Sequence, residues 1–483
     1  MKTTRVFSIL ALGAALLMFG GCGGGGDMAP AAGDAPPAAM LSRGAITGFG
    51  SVHLNGERFD TSATVFTING EPGTQSDLRV GHFITVHAHR RGNGDPVADR
   101  IDRDDVVTGP VQSIDAAAAT LVVLGQTVQV DDDTSFDDNI PGVALNGITV
   151  GGVVEVSGVR EADGVVAATR IEARPAGVPY EVIGGVSTHD AATHKFNVTA
   201  LVVDYSTATL QNFPGGQPQN GDLVKVRGLA LNAAGELTAR SVSRRPADDN
   251  AAGMRAELEG PITRFVSATD FDVIGKPVTT DANTVFENGT AANLAIDVKV
   301  EAEGTVNSSG VLLARKVEFK RQTNSRIEAR VDSVNATAGT LVVLGIDVTV
   351  NAATRVEDKG DQHREMFSLA NISAGDFVEI RGAESPAGSN DVVASRLERR
   401  RPEDRLRLRG NVDTVSAPAF SILGVTIQTN ANTRFEDEDE DDDHDDSAGG
   451  ALTLDDLLGK TVSVQGTLSN GVLIAREIEL EDD

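Results

Sequence analysis

Residues 120–130 read TLVVLGQTVQV, and residues 340–350 read TLVVLGIDVTV. Each stretch begins with a β-branched apolar run, turns at a glycine (Gly125-Gln126 in the first) and continues with apolar and polar residues in alternation. This pattern is typical of two strands joined by a tight turn. Because two distant stretches are nearly identical, the sequence indicates that one β-rich unit is repeated along the chain.

Three further lines of sequence recur and define the repeated unit. The line Thr-x-apolar is found at residues 64–66, 134–136, 284–286, 354–356 and 433–435. The line Gly-x-apolar-apolar-x-apolar-x-Gly comes next, at residues 152–158, 221–228, 375–382 and 459–466. A line that begins with Gly and contains Ala, then Ile-Glu or Val-Glu, closes the unit at residues 164–172, 310–318 and 471–479. Together with weaker copies, these lines predict six repeats.

Each repeat is predicted to hold five strands, with a short irregular or helical connector between the third and the fourth. The best helical window is Leu452–Leu458, with Thr453 as its N-cap. Five strands in about 65 residues is the plan of the OB-fold, and closing so small a sheet removes its unpaired edges. The predicted fold class is therefore all-β, with six tandem five-stranded OB-like barrels.

The predicted domains follow one another in series, and we expect each repeat to contact mainly its neighbours, as in other repeat proteins. The predicted ranges are 1–21 for a signal peptide, 22–44 for a lipidated Cys and a Gly/Ala/Pro tether, 45–105 for repeat 1, 106–176 for repeat 2, 177–248 for repeat 3, 249–323 for repeat 4, 324–402 for repeat 5, and 403–483 for repeat 6 with an acidic loop at 436–446.

The N-terminus predicts the compartment. Two basic residues precede Val6–Phe19, a run of 14 uncharged and mostly apolar residues that is too short to span a bilayer and suits a secretory signal. The next residues, Gly-Gly-Cys22, resemble a bacterial lipobox, and Cys22 is the only cysteine. We expect acyl chains on Cys22 to anchor the protein in the bacterial cell envelope. Gly23 favours the outer membrane, by resemblance to enterobacterial sorting rules. A non-lipidated signal peptide with an incidental Cys is the alternative.

Composition argues against several classes of function. Acidic residues number 70 and basic residues 42, so the net charge of −28 repels nucleic acid and attracts cations. With no Trp, 2 Tyr and 17 Phe, few rings remain for stacking on bases or sugars. The sequence contains no Gly-x-Ser-x-Gly, His-Glu-x-x-His or phosphate-loop motif. We predict no nucleic-acid partner, no catalytic residue and no enzyme activity.

The recurring lines resemble a known family. Thr-x-Phe, Gly-Asp-x-Val-x-Val-x-Gly and Gly-x-apolar-x-Ala-x-x-Ile-Glu are similar to the tandem small-barrel modules of bacterial lipoproteins that are grouped as domain of unknown function 5666. The resemblance covers nearly everything from Ala45 onward. It implies small barrels and an envelope location, and it implies no activity.

The acidic loop of repeat 6 is the candidate metal site. Residues 436–446 hold ten carboxylates and one His, and hard oxygen ligands favour Ca²⁺ or Mg²⁺. Two interpretations stay open: a solvated loop extended by repulsion that binds ions weakly, or an ordered Ca²⁺ site. The ligands proposed for the second interpretation are Glu436, Asp437, Asp439, Asp441, Asp443 and Asp445.

Three smaller clusters are interpreted as surface features. The acids Asp131–Asp133, Asp137 and Asp138 of repeat 2 are taken as surface charge. In repeat 1, His87 and His89 share a strand face near His82; a solvated pair is favoured over a transition-metal site because no third ligand is evident. The basic residues Arg244-Arg245 and Arg399–Arg401 are interpreted as polar linkers between barrels rather than a nucleic-acid surface.

The leading functional hypothesis is a lipid-anchored, non-enzymatic scaffold or binding protein for an unknown envelope protein or polymer. An envelope hydrolase with a carboxylate site between barrels is the competing class, and it requires a concave pocket lined by acids with perturbed pKa values. The third class, an OB-type binder of oligosaccharides or oligonucleotides, requires exposed rings or a basic groove.

Overall fold

The computed structural model describes residues 38–90, 94–245, 251–320, 323–362, 364, 366–437 and 452–481. This part of the chain is all-β, as predicted, and its strands are joined by turns and single-turn 3₁₀ helices. Within these ranges, no helix has the length and apolar character needed to cross a bilayer.

In the described part of the chain, strands β1 to β19 belong to repeats 1 to 3. Repeat 1 contains β1 (Ala38–Phe49), β2 (Val52–Leu54), β3 (Glu57–Phe59), β4 (Val65–Ile68), β5 (Glu71–Gly73), β6 (Phe83–Arg90) and β7 (Val97–Arg103). Repeat 2 contains β8 (Val107–Asp115), β9 (Thr120–Val123), β10 (Gln126–Gln129), β11 (Ser135–Phe136), β12 (Val153–Arg160) and β13 (Val166–Arg174). Repeat 3 contains β14 (Tyr180–Asp190), β15 (Lys195–Val198), β16 (Leu201–Asp204), β17 (Thr209–Gln211), β18 (Leu223–Leu231) and β19 (Leu237–Arg244).

The second half of the chain has the same order of elements. Repeat 4 contains β20 (Arg255–Ser267), β21 (Asp270–Val273), β22 (Lys276–Thr279), β23 (Val285–Glu287), β24 (Lys299–Val306) and β25 (Leu312–Phe319). Repeat 5 contains β26 (Ser325–Asn335), β27 (Thr340–Val343), β28 (Ile346–Thr349), β29 (Arg355–Asp358), β30 (Phe377–Glu384) and β31 (Val392–Arg399). Repeat 6 contains β32 (Leu406–Ser416), β33 (Ala419–Ile422), β34 (Val425–Gln428), β35 (Arg434–Asp437), β36 (Thr461–Ser469) and β37 (Val472–Leu480).

Repeat 2 shows how a barrel closes. Strand β8 pairs antiparallel with β9 and β12, β9 with β10, and β12 with β13, and parallel pairing of β10 with β13 completes the ring. Strand β11 continues the third strand along β13 after a break, which the sequence did not predict. The same circuit closes repeats 4 and 5. Small five-stranded closed barrels in repeated modules are therefore confirmed.

The barrels are joined into three sheets, each of which spans two repeats. A sheet of 13 strands joins repeats 1 and 4, and two sheets of 12 strands join repeats 2 and 3 and repeats 5 and 6. Repeats 2 and 3 also share one apolar cluster, as do repeats 5 and 6. The count of six separate barrels therefore stays a prediction.

Two of the recurring lines have a direct structural reason. In five repeats, the Thr of the Thr-x-apolar line donates its hydroxyl to a backbone carbonyl of the last strand, at 2.7–2.9 Å. The second Gly of the Gly-to-Gly line, for example Gly382, lies at a β-bulge against that strand. A Cβ at Gly382 would clash with the carbonyl oxygen of Val393, so only Gly fits this close approach of two strands.

Turns and connectors differ in part from the predictions. The helical segment near Leu452–Leu458 is confirmed as a 3₁₀ helix at Leu454–Leu457, whose N-cap residue Thr453 bonds with Asp456. The described residues of repeat 3 have no 3₁₀ helix in the same connector, whereas repeats 1, 2, 4 and 5 have them there: Gln75–Asp77, Pro141–Val143, Leu145–Gly147, Ala291–Asn293 and Leu369–Asn371. The hairpin of repeat 2 turns at Leu124-Gly125 rather than at Gly125-Gln126, with φ of +48° and +73°.

The predicted tether, residues 22–44, is too long at its C-terminal end. Strand β1 begins at Ala38 and pairs with β6 and, in parallel, with β20 of repeat 4. Met40 and Leu41 are buried, which stabilises this strand although the preceding residues are rich in Gly, Ala and Pro.

The repeats also contact partners that are distant in sequence, so the expectation that each repeat contacts mainly its neighbours is wrong for repeats 1 and 4. Repeat 1 pairs with repeat 4, and β1 contacts β29 of repeat 5. Arg381 and Arg396 of repeat 5 bind carbonyl oxygens of repeat 2. The described residues from Ala38 onward form one compact unit as a result.

Candidate functional site

A cavity of about 430 Å³ lies where repeats 1, 2, 4 and 5 meet. We call it the central cavity. Repeat 4 contributes charged side chains, among them Lys299, Glu318 and Lys320, and repeat 1 contributes Thr47 and Phe83. Because four repeats supply its walls, the central cavity forms only when these repeats pack together.

Repeats 2 and 5 line the cavity with the same local structure. In each, the turn before the Thr of the third strand, the glycine bulge and the first residues of the last strand form a concave surface. We call this surface the bulge pocket. It consists of residues 131–133, 157–159 and 167–169 in repeat 2, and of residues 351–353, 381–383 and 393–395 in repeat 5.

The acidic turn Asp131–Asp133 of repeat 2 enters the bulge pocket of repeat 5. Arg381 binds the carbonyl oxygen of Asp132 and, at 3.2 Å, its carboxylate, which also lies 3.2 Å from Arg409 of repeat 6. Ser395 Oγ lies 3.2 Å from Asp133 Oδ1. The interpretation of these acids as surface charge is therefore wrong. They connect repeats through charge-assisted hydrogen bonds.

Repeats 2 and 4 meet at an ion pair on the cavity wall. Lys299 of β24 binds Asp131 directly. Burial opposes the charged form of both groups, but their mutual attraction prevails: it raises the pKa of Lys299 and lowers the pKa of Asp131. Asp131 is therefore a carboxylate at neutral pH and is unsuited to act as a general acid.

Lys320 places a second, partly buried cation at the cavity. Its Nζ lies 2.6 Å from Glu301 and 3.2 Å from Glu259. Burial disfavours the ammonium, but Glu259 and then Glu301 raise the pKa of Lys320 well above its ordinary value. Glu318 lies on the same wall and is 3.2 Å from Lys316. The wall from repeat 4 therefore presents fixed charges of both signs.

The carboxyl groups whose pKa is raised most lie outside the lining of the central cavity. Burial, followed by the charge of Asp105, raises the pKa of Glu155 to about 7. Burial, followed by the charge of Glu301, raises the pKa of Glu257 to about 8. Glu155 lies at the contact between repeats 1 and 2, and Glu257 at the junction of β1 with β20. Both belong to packing interfaces.

Comparison with known families identifies the repeats. A family described as "Domain of unknown function (DUF5666)" matches residues 43–102, 108–172, 259–318, 328–398 and 409–479, which is more than half of the chain. The chain belongs to this family. Repeat 3 lies outside these DUF5666 matches, although its strands follow the same order.

Other comparisons add little. No curated protein matches the chain. Among solved structures, the chain is similar to "drosophila Unr CSD456" at 13% sequence identity, with a TM-score of 0.13, over 45% of this chain and 98% of that one.

The predicted lipidation and metal sites fall largely beyond the residues that the structure describes. Cys22, Asp439, Asp441, Asp443 and Asp445 lie outside them. Glu436 and Asp437 end strand β35 of the last DUF5666 repeat rather than belonging to a loop. In the ranges covered by the structure, no group of three His, Cys, Asp or Glu side chains is placed to hold a metal ion.

The three histidines considered as a possible metal site in repeat 1, His82, His87 and His89, have separate environments. His82 is buried; it accepts the Arg79 amide at Nδ1, and its Nε2 lies 3.3 Å from Glu172 of repeat 2. Burial lowers the pKa of His82 to about 4. His87 lies 3.5 Å from Asp102, and His89 lies 2.9 Å from Asp99. Each histidine thus faces its own carboxylate, and His82 is a packing residue that periodicity did not distinguish from the other two.

The features that an OB-type polymer binder needs are not found in the described ranges. No Phe or Tyr there has an exposed side chain. The basic residues at the repeat ends pair with carboxylates at 2.5–2.9 Å: Arg244, Arg245, Arg399, Arg400 and Arg401. They hold repeats and turns together, so the interpretation of them as simple linkers was incomplete.

Proposed function

We propose that this DUF5666 protein is a lipid-anchored, non-enzymatic binding protein of the bacterial cell envelope, and that the central cavity binds a small ligand carrying both a positive and a negative charge. The observation that carries this proposal is the cavity itself. Its volume of about 430 Å³ lies in the range of small-molecule sites, about 300–1,000 Å³. A scaffold of independent repeats would not need a cleft that four repeats build together.

The ligand class follows from the lining. Lys299 and Lys320 lie on the same walls as Asp131, Asp133 and Glu318, so both signs of charge are available to a ligand. Apolar surface from Phe83 and other residues lies between them. The ammonium and carboxylate groups of a zwitterion such as a short peptide can form ion pairs with these side chains. This pairing compensates for the loss of water around the charged groups.

Binding is favoured over hydrolysis by the protonation states. A hydrolase with two carboxylates needs one group that is protonated near neutral pH. Asp131 has a lowered pKa, and the strongly raised groups Glu155 and Glu257 lie in packing interfaces. These observations support a binding role rather than catalysis.

The anchoring proposal rests on the N-terminal sequence. A Cys22→Ser variant removes the acylated side chain, and we expect it to leave the membrane fraction and to lose labelling by radioactive palmitate. Two or three acyl chains bind membranes stably, whereas the signal sequence alone does not after cleavage. Unlabelled wild-type protein would contradict this proposal.

The cavity proposal is tested by filling the site from an exposed position. Ala353 lies in the turn of the repeat 5 bulge pocket, where it is exposed and lines the central cavity. Ala353→Trp adds an indole to the cavity without removing a core contact. Asn432→Trp is the matched control, because Asn432 holds the equivalent turn position in repeat 6 and is not part of the cavity lining.

Calorimetry with L-alanyl-L-alanine and L-lysyl-L-alanine, with glucose as an uncharged comparison, gives the readout. We expect the wild type and Asn432→Trp to bind a dipeptide and Ala353→Trp to lose at least about tenfold in affinity, since it leaves no room for the ligand. Absence of dipeptide binding to the wild type, or equal binding of glucose, would contradict the proposed ligand class.

A further inference from the structure

A second cavity of about 430 Å³ lies entirely within repeat 4. Its lining comprises the turn around Asp281 and Asn283, the segment 303–305 with the bulge Gly304, and residues 313–315 at the start of β25, together with Arg255. It shares no lining residue with the central cavity.

This second cavity is the bulge pocket of repeat 4. Gly304 is paired with Ala314 across the strands, as Gly382 is paired with Ala394 in repeat 5. The Thr after each turn donates to the carbonyl oxygen of that same Ala, at 2.7 Å in both repeats. Glu303 therefore corresponds to Arg381, and Arg315 corresponds to Ser395.

The bulge pocket of repeat 5 shows what such a surface binds. Its occupant is the acidic turn Asp131–Asp133, held through a backbone carbonyl and two carboxylates. Arg381 supplies the cation, and Ser395 supplies a hydroxyl to Asp133. The fold thus already contains one complex between a bulge pocket and an acidic polypeptide turn.

In repeat 4 the exposed cation lies on the last strand, across the pocket from the position that Arg381 holds in repeat 5. Arg315 occupies the position of Ser395, and its side chain is 78% exposed, with Glu303 at 3.8 Å. Glu303 is engaged more closely by Arg255, at 2.8 Å. Asp281 accepts the amide of Asn283 at 2.7 Å within its own turn. Of the two arginines that line this pocket, Arg255 is paired with Glu303, so Arg315 is the cation that is more accessible to a carboxylate.

We propose that the bulge pocket of repeat 4 binds an acidic turn of a partner polypeptide, in the manner in which the bulge pocket of repeat 5 binds Asp131–Asp133. Arg315 binds the partner carboxylate that is equivalent to Asp133, which Ser395 contacts in repeat 5. The backbone of the partner's turn lies against the bulge at Gly304. This site is independent of the central cavity and of its ligand.

The chain supplies its own probe for this site. A fluorescent synthetic peptide of residues 129–138, QVDDDTSFDD, reproduces the acidic turn and is titrated with the purified full chain while fluorescence polarisation is recorded. A peptide of the same composition in scrambled order keeps the net charge and removes the turn. Arg315→Glu reverses the charge of one exposed side chain of the pocket, and we expect the fold to be retained.

Arg240→Glu is the matched control. Arg240 is exposed, follows Ala239 at the equivalent strand position of repeat 3, and lines neither cavity. We expect Arg315→Glu to weaken peptide binding by about tenfold, the effect of losing one charge-assisted hydrogen bond, while Arg240→Glu stays within about twofold of the wild type.

Three results would overturn the proposal. In the first, the wild type does not bind the peptide. In the second, it binds the scrambled peptide equally well, which would mean that binding depends only on the net charge of the peptide. In the third, both arginine variants lose affinity equally, which places the contact on the general surface rather than in this pocket. Thermal unfolding of each variant verifies that the fold is intact.

Discussion

Glu257 gives a direct test of how repeats 1 and 4 pack against each other. It is buried where β1 and β20 pair in parallel, and Ser42 Oγ donates to its Oε2 at 3.0 Å. Asn55 in turn donates to Ser42 at 3.0 Å. Burial raises the pKa of Glu257 to about 8, and the neighbouring charges of Glu301, Glu303 and Glu57 add to this effect.

The magnitude follows from linkage. The ordinary pKa of 4.5 describes the unfolded chain, and the folded value of about 8 means that the folded state holds the proton more tightly. This contribution to stability is fully present below pH 4.5 and is lost as the pH rises through 8. At about 1.4 kcal/mol per pKa unit, ionising Glu257 in the folded protein costs on the order of 5 kcal/mol.

The perturbation is Glu257→Gln, which keeps an acceptor for Ser42 and cannot ionise. Urea unfolding is followed by circular dichroism at several pH values between 4.5 and 8. The wild type should lose about 1.4 kcal/mol of stability per pH unit relative to Glu257→Gln over this range. Glu287→Gln, at a side chain that is 51% exposed, is the control and should not change the slope.

Parallel pH profiles for the wild type and Glu257→Gln would refute the reasoning, because they would mean that Glu257 titrates alike in the folded and unfolded chains. A pH-dependent difference that also appears in Glu287→Gln would refute it as well, since it would arise from net charge alone. The slope difference between the two substitutions is therefore the quantity to measure.

Three further predictions concern the packing of repeats, the glycine bulge and the acidic loop. Asp132→Asn removes the charge that binds two arginines of repeats 5 and 6 and should lower the free energy of unfolding by about 1 kcal/mol, as measured by urea titration beside the exposed control Asp163→Asn. Gly466→Ala should destabilise by about 2 kcal/mol or more because its Cβ would clash with a backbone carbonyl, whereas Gly185→Ala meets no atom and should unfold like the wild type in thermal scans. Calorimetry with Ca²⁺ should give heat for the full chain and none for a variant lacking residues 438–446, a deletion that leaves strand β35 in place; equal, negligible heats in both would end the cation hypothesis.

Much of the fold follows from periodicity within one repeat. The hairpin at residues 120–130, the Thr-x-apolar lines and the cap at Thr453 are short sequence patterns, and hydrogen bonds within a single repeat stabilise each of them. Leu124 shows the limit of this approach. It adopts φ of +48° in its turn, a conformation that Leu rarely takes, so residue preferences placed the turn one position too late.

The candidate sites were harder to predict because they depend on distant contacts. Asp132 and Arg381 are 249 positions apart, and no period in the sequence relates them. The available signal was that repeat 2 has an acidic turn whereas repeat 5 has Asn351-Ala-Ala at the same place. A difference between copies of one unit marks a position that serves packing or binding rather than the fold, but it does not identify the partner.

Repeats 2, 4 and 5 share a charged face, and these faces differ in what they contact. Strands four and five of repeats 2, 4 and 5 carry a Glu-Glu pair at matching register: Glu155 with Glu172, Glu301 with Glu318, and Glu379 with Glu398. In repeats 2 and 5 the neighbouring cation is an arginine, Arg170 or Arg396, and each donates to a backbone carbonyl of another repeat at 3.0–3.1 Å.

In repeat 4 Lys316 holds the position of Arg170 and Arg396, and Lys320 holds that of Arg174 and Arg400. Of these two lysines, Lys320 lines the central cavity together with Glu318. The rigid fork of arginine suits a fixed protein surface with several acceptors, whereas lysine is a compact charge on a flexible stem that can follow an exchangeable partner. Duplication therefore provided three equivalent charged faces. The side-chain type differs between these faces: Arg170 and Arg396 contact a neighbouring repeat, whereas Lys320 lines the central cavity.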